Sequence, residues 1–219
     1  MKPSELNNNR SFNSAFDANF LKNYQQGTLA YTYKGVRCLK SPIDLAIYLK
    51  LIWDLKPAAI LEIGSKEGGS ALWFKDMATV FGLSCDVISI DINPPSDLED
   101  VGIKFLQGDV TGLESAFDQH NLSSLPHPWL VVEDSAHSYL ACSAALKSMS
   151  KIMSKGDVLV MEDGILDELG LSDQYDGGPN RALLEFFKSN PQEFSVMPDY
   201  CDQFGENCTY NPNAYLYKN

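Results

Sequence analysis

Four short runs, Ala58–Ile63, Val87–Ile90, Leu130–Val132 and Val158–Met161, are apolar nearly throughout. A strand with one wet face alternates apolar and polar residues, so unbroken runs of this length belong to strands buried on both faces. That requires a parallel sheet covered by helices. Helical patterns separate or follow the runs, over Ser70–Phe81, Tyr139–Met153 and Asn180–Phe187. Upstream, Leu45, Ala46, Tyr48, Leu49, Ile52 and Trp53 recur at helical spacing between Asp44 and Leu55. Ser41-Pro42 starts that helix and Pro57 ends it. The alternation predicts an α/β chain with an open, doubly wound, mostly parallel sheet. Phe194–Met197 and Ala214–Tyr217 are expected to add an antiparallel pair at one edge.

The chain has 219 residues, 44% of them hydrophobic and 21% charged, which suits one folded domain. Residues 1–30 are rich in Asn and Ser and read as a polar, loosely docked arm, leaving 31–219 as the domain. Seventeen Lys and Arg stand against 29 Asp and Glu, a net charge of −12. Nucleic-acid binding needs clustered cations and an anionic membrane repels acidic surfaces, so neither partner is expected. A cationic ligand or a metal ion suits the charge. The five cysteines, Cys38, Cys85, Cys142, Cys201 and Cys208, form no CxxC pair or Cys/His cluster, which argues against zinc and against a disulfide framework. No long apolar run and no export signal is apparent, so a soluble, cytoplasmic protein is expected.

Ligands of open parallel sheets bind beyond the carboxyl ends of the strands. After the first run lies Glu62-Ile63-Gly64-Ser65-Lys66-Glu67-Gly68-Gly69-Ser70, a glycine-rich strand-to-helix turn with neither GxxxxGK[ST] nor GxGxxG. Phosphate-cradle and dinucleotide readings are therefore weak. Glu62 suits an amino-bearing ligand, Asp91 is placed to accept ribose hydroxyls, and Asp109 to accept an exocyclic amine. Taken singly, these are also a salt-bridge partner, a turn former and a helix cap. In order after successive runs, they favour a nucleoside-bearing ligand.

Further along come Glu133-Asp134-Ser135-Ala136-His137 and Glu162-Asp163-Gly164. If those strands pair, Asp134, Glu162, Asp163 and Glu133 meet at one rim, where like charges repel. A hard divalent cation relieves this, and an all-oxygen set selects Mg²⁺, Mn²⁺ or Ca²⁺. A helix cap at Asp134 and a turn at Gly164 fit the same residues, and both readings stay open. His137, three residues past Asp134, is placed to act as a general base. Tyr31, Tyr33, Trp73, Tyr139, Tyr175 and the 167–176 loop are candidates to shape an acceptor pocket.

Glu62-Ile63-Gly64 with Gly68-Gly69-Ser70-Ala71, then Asp134-Ser135-Ala136-His137, then Val160-Met161-Glu162-Asp163 resemble the cephalosporin hydroxylase/rhamnosyl O-methyltransferase family. Flanking segments agree: Leu39-Lys40-Ser41-Pro42, Gly177-Gly178-Pro179 and Asn211-Pro212-Asn213-Ala214. The likeness runs from about Gly35 to Lys218, and its specific part is the Asp-x-x-His plus Glu-Asp pair. It implies a Rossmann-like class I methyltransferase using S-adenosylmethionine and Mg²⁺. The resemblance places Mg²⁺ on Asp134, Glu162 and Asp163, with His137 as base. It places the cofactor against Glu62, Gly64, Ser70, Asp91 and Asp109. A small hydroxylated acceptor, a sugar or natural-product moiety, is implied, as is a homo-oligomer. The alternative is a cofactor-binding partner or scaffold protein without turnover; the missing GxG argues against an NAD-linked oxidoreductase.

Overall fold

The computed structural model describes residues 10–98 and 101–219. A helix α1 (Ala18–Ala30) leads into a short hairpin, β1 (Thr32–Tyr33) and β2 (Val36–Arg37), and then α2 (Pro42–Leu55). Strands and helices then follow as β3 (Ala59–Ile63), α3 (Gly69–Val80), β4 (Asp86–Asp91), β5 (Ile103–Gln107), α4 (Leu113–Gln119) and β6 (Trp129–Glu133). The chain ends with α5 (Tyr139–Ile152), β7 (Val158–Met161), α6 (Gly178–Ser189), β8 (Phe194–Val196), α7 (Pro198–Cys201) and β9 (Tyr215–Lys218). The expected strands and helices are present to within about two residues at each end. Helix starts follow local chemistry: Ser41 accepts the Asp44 amide ahead of Pro42, and Ser138 accepts that of Ala141, each satisfying an orphan N–H.

Seven strands form one sheet in the order β5-β4-β3-β6-β7-β9-β8. The first five run parallel, and β9 is antiparallel to both β7 and β8. The expected edge pair therefore exists, with β9 inserted between β7 and β8. Every residue of β3, β6 and β7 is buried, which is why those segments read as unbroken apolar runs. Fully burying a Val, Leu or Ile is worth about 1.5–3 kcal/mol, so these three strands anchor the sheet that presents the site. No helix among the described residues is long and apolar enough to cross a membrane.

The expected loose arm needs correction from Arg10 onward; its first nine residues lie outside those described. Arg10 pairs with Asp202 at 2.5 Å and Phe12 joins the main core. The Ser14 amide donates to Glu168 at 2.6 Å, and Leu21 of α1 is fully buried beside Ile165 and Tyr210. Phe16, Tyr24 and Tyr210 meet edge-on or tilted. Long-range contacts thus order a segment whose own composition gives little reason to fold.

All five cysteines are free thiols, and all but Cys208 are buried. Burial pushes the thiols of Cys38, Cys85 and Cys201 up to about 11 and raises that of Cys142 further. Since the thiolate is the reactive form, Ellman's reagent on native protein is expected to modify Cys208 alone within minutes. The others should react only on denaturation; two or more fast native thiols would contradict this packing.

Candidate active site

Chain order reverses across β3 and β6, which places the ligand crevice over their carboxyl ends. Ile63 pairs with Glu133, and Glu133 with Met161, so Gly64, Asp134 and Glu162 leave the sheet side by side. The Asp134 amide donates to the Ile63 carbonyl at 2.8 Å and the Glu162 amide to that of Glu133 at 2.9 Å. Gly64 makes this closeness possible. Its φ is +105°, and a Cβ there would lie 2.1 Å from the Asp134 carbonyl oxygen.

Three side chains converge beyond these tips. Asp134, His137 and Asp163 each offer a ligand atom within 4.8 Å of the others'. His137 Nε2 lies 3.3 Å from Asp163 Oδ2 and 3.7 Å from Asp134 Oδ1, while its buried Nδ1 has no partner. Two of the three sit in left-handed backbone, His137 at φ +53° and Asp163 at φ +62°. Such strain persists only where the surroundings fix it, and it clusters at functional sites. The Asp163 amide is held by Asn211 Oδ1 at 3.0 Å. Burial lowers the His137 pKa, but the carboxylates of Asp163, Asp134 and Glu133 outweigh it and leave the imidazole above its ordinary value.

The other acidic residues face elsewhere. Glu162 lies 2.7 Å from Lys40 Nζ and accepts the Tyr48 hydroxyl at 2.5 Å, so both its oxygens are engaged behind the cluster. Glu133, expected at the rim, is fully buried and accepts the amide and hydroxyl of Ser135. Glu62 is buried below the turn rather than lining a cavity. One of its oxygens accepts from Ser89 at 2.7 Å; the other has no hydrogen-bond partner. Lys40, quoted above only as part of a flanking segment, proves central: its ammonium contacts Asp134 and Glu162. Desolvation would lower its pKa, but Asp134, Glu162 and Glu62 hold it well above the usual lysine range.

Two cavities meet here. One, of about 670 Å³, is walled by Gly64, Ser70, Asp134, His137, Asp163 and Tyr175, among others. Residues of α1 (Lys22, Gln25, Gln26, Leu29) close it, so the supposed arm is part of the site. The second, of about 650 Å³, is lined by Asp91, Ile92, Gly108, Asp109, Leu140 and neighbours. Lys66, Ser135 and Ala136 border both. Asp91 accepts the amides of Ser65, Lys66 and Asn93, which uses three of a carboxylate's roughly four acceptor positions. Asp109 accepts from the Thr111 amide and hydroxyl. Of the aromatic pocket candidates, Tyr175 alone lines the first cavity. Tyr33 donates to Asp76, Tyr139 to Glu185, and Trp73 is core.

With this geometry, likeness to solved structures is informative. The chain matches CmcI in a Mg-SAM form over 87% of its length and 77% of that chain, with TM-score 0.68 and 24% identity. An apo-structure of CmcI matches at 27% identity and TM-score 0.67, over 87% of this chain and 76% of that one. The architecture is that of the class I S-adenosylmethionine-dependent methyltransferases. More narrowly, residues 25–219 match the family model described as rhamnosyl O-methyltransferase/CmcI, and the chain belongs to that family. A relative, the rhamnosyl O-methyltransferase of Mycobacterium leprae, is 29% identical over 190 residues, covering 84% of this chain and 82% of its own. The protein is an S-adenosylmethionine-dependent O-methyltransferase. The family match begins ten residues before the Gly35 limit of the sequence likeness, inside α1.

Proposed function

We propose that this protein transfers the methyl group of S-adenosylmethionine to a hydroxyl of a small metabolite, a sugar or sugar-bearing natural product, in a Mg²⁺-dependent reaction. The carrying observation is the junction of two cavities beside the Asp134/His137/Asp163 cluster. A two-substrate transfer needs such a junction.

The second cavity is assigned to the nucleoside half of the cofactor. Its exposed Ile92 and Leu140, 58% and 69% accessible, offer apolar surface to a flat base. Asp91 keeps acceptor capacity for a ribose hydroxyl, and Asp109 stands at the same wall. Gly64 and Ser70 border the first cavity, where the sulfonium end and the acceptor would meet. Glu62 is assigned a supporting role, bracing the turn from below through Ser89.

The donor set fits a hard divalent ion. Asp134 and Asp163 present oxygens to one point, and their mutual repulsion calls for a cation. Asp134 and Asp163 are the proposed holders; Glu162, expected as a third, has both oxygens taken up by Lys40 and Tyr48 and is assigned a place behind them. Mg²⁺ prefers oxygen, which leaves the imidazole of His137 free for proton transfer. When bound, Mg²⁺ would polarise the acceptor hydroxyl and offset the carboxylate charge that otherwise favours the charged imidazole of His137. His137 would take the hydroxyl proton as the new C–O bond forms and the methyl–sulfur bond of the sulfonium breaks, releasing neutral S-adenosylhomocysteine. The chain's own contribution is otherwise positional: strained backbone at residues 137 and 163 aims base and acid at one spot, an effect of preorganised geometry.

With labelled S-adenosylmethionine and a panel of deoxysugar-bearing acceptors, product is expected with Mg²⁺. EDTA is expected to abolish it, and excess Mg²⁺ to restore it. Undiminished turnover in EDTA would overturn the metal assignment, and no product from any sugar acceptor would overturn the substrate class.

A further inference from the structure

Lys40 lies outside both cavities, with a side chain only 1% exposed. It precedes α2, while the carboxylates around it come from the ends of three strands: Glu62 from β3, Asp134 after β6 and Glu162 after β7. Its ammonium donates to Asp134 Oδ2 and to Glu162 Oε2 and stands 3.8 Å from Glu62 Oε1, the oxygen that lacks a hydrogen-bond partner. Asp134 is therefore shared, with Oδ1 toward His137 and Oδ2 toward Lys40. The second oxygen of Glu162 is fixed by Tyr48. A lysine so deep has no path to substrate, so it is not a catalytic residue.

Three carboxylates at neighbouring strand ends repel one another unless something positive lies among them. A buried charge is tolerated when paired, and stripping its partner is strongly destabilising. We infer that Lys40 is a built-in counter-charge, a positioning residue that holds Asp134 and Glu162 assembled and aimed before the divalent ion arrives. The inference rests on the proposed Mg²⁺ site and extends it. One ammonium thus does part of the ion's electrostatic work from behind. Metal and lysine are then partly redundant for folding, and their effects are coupled.

The test compares wild type, Lys40→Met and the double variant Lys40→Met/Glu162→Gln by thermal unfolding and Mg²⁺ calorimetry, without S-adenosylmethionine. In metal-free buffer, Lys40→Met is expected to lower the Tm by about 10 °C, the loss typical of an orphaned buried charge in a chain this size. Saturating Mg²⁺ should recover at least half of that loss, a larger gain than it gives wild type. Removing the orphaned charge in the double variant should raise the metal-free Tm above that of Lys40→Met. A Tm loss equal with and without Mg²⁺, with no recovery in the double variant, would reduce Lys40 to packing and overturn the inference; so would an unchanged Tm. If Lys40→Met yields no folded protein, the double variant decides: folded protein supports the counter-charge role, and its absence refutes it. Wild type that neither binds Mg²⁺ nor shifts with it would instead remove the metal site itself.

Discussion

Replacing His137 with Asn is expected to lower kcat by about 10²–10⁴-fold, the usual worth of a positioned general base. Asn is the informative choice because residue 137 sits at φ +53°, a region Asn tolerates far better than most residues. The backbone and the neighbouring carboxylates should therefore stay in place while the ring nitrogens are lost. Affinity for S-adenosylmethionine is expected to change by no more than a few-fold, since the second cavity lies on other residues. The wild-type rate should climb with pH as the imidazole loses its proton, because only the neutral form accepts one. Without the ion, Asp163 and Asp134 favour the charged imidazole; bound Mg²⁺ would offset them and draw that limb down in pH. In the Asn variant the limb should vanish. A variant within about threefold of wild-type kcat would show that the proton leaves by another route.

Gly64→Ala should be strongly damaging to the fold. The new methyl would lie 2.1 Å from the Asp134 carbonyl oxygen and 2.6 Å from its carbon. Both are backbone atoms pinned by the ladder between β3 and β6, so nothing cheap can yield. The φ of +105° adds strain for any residue with a Cβ. A loss of about 3–5 kcal/mol in unfolding free energy is expected, or roughly 10 °C in Tm. Gly27 supplies the contrast. It lies within α1, a Cβ there meets nothing within 4 Å, and Gly27→Ala should stabilise by about 0.5–1 kcal/mol. Urea midpoints for the two variants measure both. A Gly64→Ala midpoint near wild type would mean the two strand tips do not approach as closely as described.

The parts of this fold that could be read in advance are those where local sequence reflects burial directly. β3, β6 and β7 are covered on both faces, so their residues had to be apolar in succession. Pairing β6 with β7 then brought Asp134 beside Glu162, as the runs implied. β5 is visible in the sequence only through Asp109 just beyond it, because a sheet-edge strand with mixed burial carries a weaker pattern. α1 could not be read, since Leu21 and Thr28 are its only buried residues. It is ordered by the Asp17 cap and by Tyr210, which arrives from the other end of the chain. Lys40 was hidden for the same reason. A lone lysine before a helix looks solvated, and its Glu162 partner is 122 residues away. Local sequence also could not say which acidic side chains turn inward, and Glu62 and Glu133 do.

The most direct measurement is the anomalous scattering of a crystal grown with Mn²⁺ and S-adenosylhomocysteine. A single strong peak between the carboxylates of Asp134 and Asp163 is expected, with the homocysteine sulfur facing it across Gly64 and the adenosine beside Asp91. A peak elsewhere, or a nucleoside bound away from the β3–β6 crevice, would contradict the site proposed here.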